Sequence, residues 1–104
     1  MEELSCDSNN ITKLNLDNNR LLRVVTCSDN EDLDTLDVQN NTELARLEID
    51  DTAITSLYLE RNTKLCNLSC VGTEIEMLDV SMCDPKIEVK ADDSTKVIRK
   101  KDLP

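Results

Sequence analysis

Five cysteines, one tyrosine and 22 acidic side chains are the groups in this 104-residue chain that could carry catalysis, metal binding or recognition. There is no histidine, which removes Ser-His-Asp and Cys-His nucleophilic catalysis and any His-ligated metal. Cys66 and Cys70 stand four residues apart, about 13 Å if that stretch is extended. That is too far for a disulfide and is not the spacing of a zinc-ligand pair. A reactive thiolate also needs a base and a positive surrounding, and Cys66 is followed by Asn67. We read Cys66 as an exposed thiol without a catalytic part. The acidic runs Asp29-Asn30-Glu31-Asp32, Asp50-Asp51 and Asp92-Asp93 offer hard oxygen ligands for calcium. They lack the EF-hand spacing, and with Gly72 as the sole glycine they lack a glycine-rich calcium repeat. Solvated turn charges are the better reading, and neither a metal nor a cofactor is expected.

Charge narrows the partners. Twelve basic side chains against 22 acidic ones leave a net charge of −10, which repels nucleic acid and anionic membrane surfaces. No apolar run approaches the roughly 20 residues of a membrane-spanning helix. Met1 is followed by Glu2 and Glu3, so no basic and apolar signal segment opens the chain. With one Tyr and no Phe or Trp, an aromatic-rich immunoglobulin-type sandwich is disfavoured.

The elements that must position these groups come from an internal repeat. One series reads Leu4-Ser-Cys6, Val25-Thr-Cys27, Leu47-Glu-Ile49 and Leu68-Ser-Cys70, and the other Leu14-Asn-Leu16, Leu36-Asp-Val38, Leu57-Tyr-Leu59 and Leu78-Asp-Val80. Each series recurs every 21 or 22 residues, and a further apolar residue stands three before each pair, from Met1 and Ile11 onward. Apolar residues separated by one position face the same side of a strand. The chain is therefore expected to be mainly β, a short right-handed parallel solenoid of about four coils, each with two strand-like sides. Coils stacked about 4.8 Å apart bury an apolar edge that one coil alone cannot. A helical reading fails because Asn and Asp recur every ten or eleven positions, and both are poor inside helices. The columns Asn9 and Asn30, and Asn19, Asn41 and Asn62, fall where each strand ends. Their amides are expected to be structural, satisfying backbone groups at the turns.

The pattern Leu-x-x-Leu-x-Leu/Cys-x-x-Asn-x-Ile resembles the leucine-rich repeat family, over roughly residues 1–89. Its spacing looks most like the short 21-residue repeats of bacterial, Bacteroidetes-like surface or secreted proteins. The run Cys83-Asp84-Pro85-Lys86-Ile87-Glu88-Val89 resembles the end of such arrays. Thr52, Thr73 and Cys83 depart from the pattern at Asn-type positions. The resemblance implies an extracellular or cell-surface home and a binding or adhesion role.

Residues 1–89 are thus taken as the repeat array and 90–104 as a C-terminal tail that could cap it. Met1 fills the first apolar position with nothing before it, which points to a fragment of a longer array or to end-to-end self-association. Cys6, Cys27 and Cys70 share an inward column and serve as small buried hydrophobes, while Cys66 falls with Arg23 and Ala45. One outer column holds Ser5, Thr26, Glu48 and Ser69, with Glu88 next if the stack continues. The other holds Asn15, Asp37, Tyr58 and Asp79. Asp37 and Asp79 could pair as glycosidase carboxylates, but two coils apart they stand about 10 Å from each other on a face without a cleft. Tyr and Arg are favoured in binding hot spots, so Tyr58, Arg23, Arg46 and Arg61 are the candidate binding residues. Val24, expected to point outward, Asp37 and Asp79 join them. The expected function is a non-enzymatic interaction module for a protein or a glycan. The alternative is a structural spacer with no ligand.

Overall fold

The computed structural model describes residues 2–102; Met1, and with it the first apolar position of the repeat, lies outside the described residues, as do Leu103 and Pro104. The strands are short and all parallel. Strands β1 (Glu3–Ser5), β2 (Val24–Thr26), β3 (Arg46–Glu48), β4 (Asn67–Cys70) and β6 (Glu88–Ala91) form one five-stranded sheet in the order β1-β2-β3-β4-β6. Strands β5 (Met77–Asp79) and β7 (Lys96–Ile98) pair on the opposite side. The chain is a parallel β-solenoid of about five turns.

The register shows how the sequence makes it. Leu4, Val25, Leu47, Leu68 and Val89 lie opposite one another, as do Leu78 and Val97. Leu16, Val38, Leu59 and Val80 supply the second side, each at most 3 % exposed. The residues three before each pair, Leu22, Leu44 and Leu65, and Leu33, Ile54 and Ile75, are buried with them. Every buried apolar side chain belongs to one continuous core. At about 25 cal/mol per Å², that shared burial is the main favourable term.

The fifth coil departs from the expected phase. Val89 pairs with Leu68 and Ala91 with Cys70, so Lys90, not Glu88, continues the column of Glu48 and Ser69. Glu88 instead stands beside Asn67. The stack keeps its 21-residue step from Leu68 to Val89, the same as from Leu47 to Leu68, whereas pairing Ile87 with Leu68 would need a step of only 19. Cys83 N–H accordingly donates to Val80 O just as Asn62 N–H, 21 residues earlier, donates to Leu59 O. The tail then stays in the stack, since Val80 N–H donates to Ile98 O and Lys96 N–H to Glu76 O.

Polar columns hold the turns. Asn30 is fully buried; its Nδ2 donates to the carbonyls of Cys6, Cys27 and Ser28, and its Oδ1 accepts from the N–H groups of Asn9 and Ile11. Thr52 and Thr73, at the same position in later coils, keep the bond to the carbonyl three residues back, Ile49 O and Cys70 O, and Thr73 Oγ1 also accepts from Ile75 N–H at 3.4 Å. In the other column Asn41 Nδ2 donates to Leu16 O and Asn19 O, and Asn62 Nδ2 to Val38 O and Asn41 O. The Oδ1 atoms of both are buried and accept no hydrogen bond from the described residues. Asn19 contributes its carbonyl, and Asn9 caps its own turn through Cys6 O and Asp7 O. Cys83, fourth in that column, donates weakly from Sγ to Leu59 O at 3.9 Å. A further column is conformational: Ser8, Asp29, Asp51 and Gly72 all have φ between 54° and 76°. That left-handed region suits Gly, Asp and Asn best. A Cβ on Gly72 would also collide with Asp51 Oδ1.

All five thiols are free. Cys6 and Cys27 are neighbours in one inward column, with Ile49, Cys70 and Ala91 above them. Burial pushes Cys27 from an ordinary 9.0 up to about 12, helped by Cys6 and Asp7. Burial likewise raises Cys70 and Cys83 to about 11, with Asp50 and Asp92 adding to the first and Asp79 to the second.

Two predictions follow from this packing. Asn62→Ala removes the side-chain bonds to Val38 O and Asn41 O, each of which keeps one backbone N–H donor; at about 0.5–1.5 kcal/mol per bond, urea unfolding should show about 1–3 kcal/mol lost, against less than 1 kcal/mol for the exposed Asn10→Ala. The raised thiol pKa values stabilise the fold fully below pH 9.0, and that contribution is lost as pH rises toward 11–12. Thermal melts should therefore fall more steeply across that alkaline range for the natural chain than for Cys27→Val/Cys70→Val.

Candidate functional site

The expected binding residues separate onto two surfaces and the turn between them. On the five-stranded sheet, Val24, Arg46, Asn67 and Glu88 form one outward column. Arg23 stands one position earlier, in the row of Ala45 and Cys66, as the bonds Ala45 N–H to Arg23 O and Cys66 N–H to Ala45 O show. Arg23 and Arg46 are exposed, whereas Val24 is half-buried and not fully outward. A small hollow at this end is lined by Glu2, Glu3, Arg23, Val24 and Ala45. Arg46 Nε donates to Glu48 Oε2 at 2.8 Å, on a surface where such a pair adds about 0–1 kcal/mol. Beside it, Ser69 Oγ and Val71 N–H both donate to Asp50 Oδ1 at 2.7 and 2.8 Å. The face is thus a set of short polar rows with alternating charge.

The second surface carries Tyr58, which is 63 % exposed. It overlooks a groove of about 480 Å³ across coils one to three, with Lys13, Asn15, Asp37, Gln39 and Ser56 on its walls and Leu14 and Leu36 below. Sequence reasoning placed Asn15, Asp37 and Tyr58 in one column but described a face without a cleft; the structure corrects this. The ring of Tyr58 projects beyond the shorter side chains of the coils before it, and a hollow is left between them. Lys13 and Gln39 were not singled out from the sequence, and only the two-residue offset from each column member could have signalled them. Asp79 lies one coil beyond Tyr58, outside the groove. Its carboxyl is held below the usual range by hydrogen bonds from Ser81, the backbone N–H at 2.9 Å among them. Arg61 sits exposed in the turn after Leu59, apart from both surfaces.

The catalytic and metal readings gain no geometry. Cys66 Sγ donates to Ala45 O at 3.4 Å and is neighboured by the Asn67 amide, not by a base. Among the described residues, no group of three or more Cys, Asp or Glu side chains is placed to hold a metal ion. The acidic turns do stack. Asp51 is pushed above the ordinary carboxyl range by crowding out of solvent, then by the charges of Asp29, Asp50 and Asp92. No helix among the described residues is long and apolar enough to cross a membrane.

No protein-family model matches the chain, and no curated protein does. Among solved structures, the functional domain of InlJ from Listeria monocytogenes, described as including a cysteine ladder, superimposes with a TM-score of 0.84 at 31 % identity. The match covers 93 % of this chain and 21 % of that one, so the chain spans about a fifth of the length of the protein it resembles. In this chain one inward column runs Cys6, Cys27, Ile49, Cys70. With the parallel register above, this likeness assigns the fold: a parallel β-solenoid of leucine-rich-repeat type.

Proposed function

We propose that the chain is a non-enzymatic interaction module that recognises a protein partner, with a bacterial cell surface as its setting. One observation carries the reading: an in-register sheet presents Arg23, Arg46, Asn67 and Lys90 beside Glu48 and Glu88 on exposed rows. Rigid rows of mixed charge can match a partner's surface without ordering a loop, which keeps the entropic cost of binding low. Charge-alternating rows also favour specificity over raw affinity. The likeness to a bacterial domain supports the setting. The tail serves as the C-terminal cap in this reading, supported by Arg99 Nη1 donating to Ile87 O and Asp102 accepting from Arg99 N–H.

A spacer role is the second reading, favoured by the match to about a fifth of a longer protein. Immobilised chain should capture a protein by way of the sheet, and Arg23→Ala/Arg46→Ala should weaken that capture by at least tenfold at unchanged circular dichroism, the scale of a truncated hot spot. Equal capture by the natural and doubly substituted chains overturns the assignment to this face, and no capture by either favours the spacer.

A further inference from the structure

The Tyr58 groove has a chemistry unlike that of the sheet face. The chain's one aromatic ring stands exposed at its edge, an apolar plate with a hydroxyl at its tip. Below it the polar side chains are held ready. Asn15 Oδ1 accepts from Asp17 N–H and Asp37 Oδ1 from Gln39 N–H, both at 2.9 Å. Each bond locks its side chain at the mouth of a turn, which leaves the Asn15 amide nitrogen and the second carboxylate oxygen of Asp37 free to meet a ligand. Lys13 and Ser56 add donors. The volume, about 480 Å³, lies within the range of small-ligand sites.

We propose that this groove binds a neutral carbohydrate chain, resting on the reading of the molecule as a binding module. A sugar ring has an apolar C–H face for Tyr58 and a rim of hydroxyls, each both donor and acceptor, for a lining that mixes the two. Lys13 offsets one of the two carboxylates, Asp17 and Asp37, and the one net negative charge left in the lining disfavours an anionic ligand. The net charge of −10 disfavours sialylated or sulfated chains. A peptide is less well matched, because the groove offers no open strand edge and its leucines lie at the floor, with Leu36 8 % exposed.

Tyr58 provides its own test. As the sole aromatic in a chain without Trp, it accounts for all intrinsic tyrosine fluorescence. Titration with neutral tetrasaccharides of glucose, galactose, mannose and N-acetylglucosamine should give a saturable fluorescence change with at least one of them, and sulfated counterparts should give none. By calorimetry, Tyr58→Ala should weaken binding at least tenfold and Asp37→Asn about tenfold, the loss of one charge-assisted hydrogen bond. Arg46→Ala, on the other surface, should leave sugar binding unchanged, which separates this site from the protein-binding face. The proposal is overturned if no neutral sugar binds at millimolar concentration, if Tyr58→Ala binds as well as the natural chain, or if the groove responds to a basic peptide and not to sugar.

Discussion

Parallel in-register stacking of one coil on the next is the constraint from which the rest of this molecule follows. Each short strand would be unstable alone; its apolar edge and its backbone hydrogen bonds are both completed by neighbours 21 or 22 residues away in the chain. The same constraint makes position in the repeat more informative than position in the sequence. A residue meets its equivalents above and below, so like gathers with like into columns of leucine, cysteine, asparagine and aspartate. Some columns gain by this and some lose. Leucines share a core, and asparagines hand each turn's carbonyls to the next coil's amide. The aspartates crowd one another, and the raised pKa of Asp51 records it.

The two sides of the solenoid inherit different tasks from the same repeat. On the five-stranded side, tight ladder pairing holds the outward residues in flat rows, and their side chains pair with near neighbours such as Glu48 and Asp50. On the opposite side the outward residue is followed by a turn, and Asn15, Asp37 and Asp79 each accept from the N–H two residues on. That bond ties each side chain at one oxygen, and leaves the Asn15 amide nitrogen and the second Asp37 oxygen facing outward. Only at Tyr58 does a large ring replace the short polar group, and there the surface becomes a groove. A solenoid thus makes a local site by varying one member of a column while the coil beneath it stays the same.

The thiols show how little a reactive group does without its surroundings. Cys27, Cys70 and Cys83 are buried among leucines with carboxylates nearby, both of which disfavour the thiolate. They pack as small hydrophobes, and Ile49 fills the same position in the third coil without disturbing the register. Cys83 goes further and stands in an asparagine column, where a weak Sγ contact to Leu59 O replaces an amide's stronger one.

Period and face were legible in the amino-acid order, because alternation by two and recurrence by 21 or 22 are properties of the chain itself. From them come the parallel solenoid, the inward leucines and cysteines, and the turns at which asparagine recurs. What the order of residues could not decide is anything set by the space between coils. The fifth coil kept the 21-residue step and so put Lys90, not Glu88, beyond Ser69, because backbone pairing, and not the apolar pair Ile87 and Val89, set the register. Val24 points outward in line with Arg46 but falls half under cover. The left-handed column of Ser8, Asp29, Asp51 and Gly72 is not spelled by any one residue type. The groove beside Tyr58 exists only because side chains of unequal length from three coils are brought side by side, and that juxtaposition belongs to the folded stack.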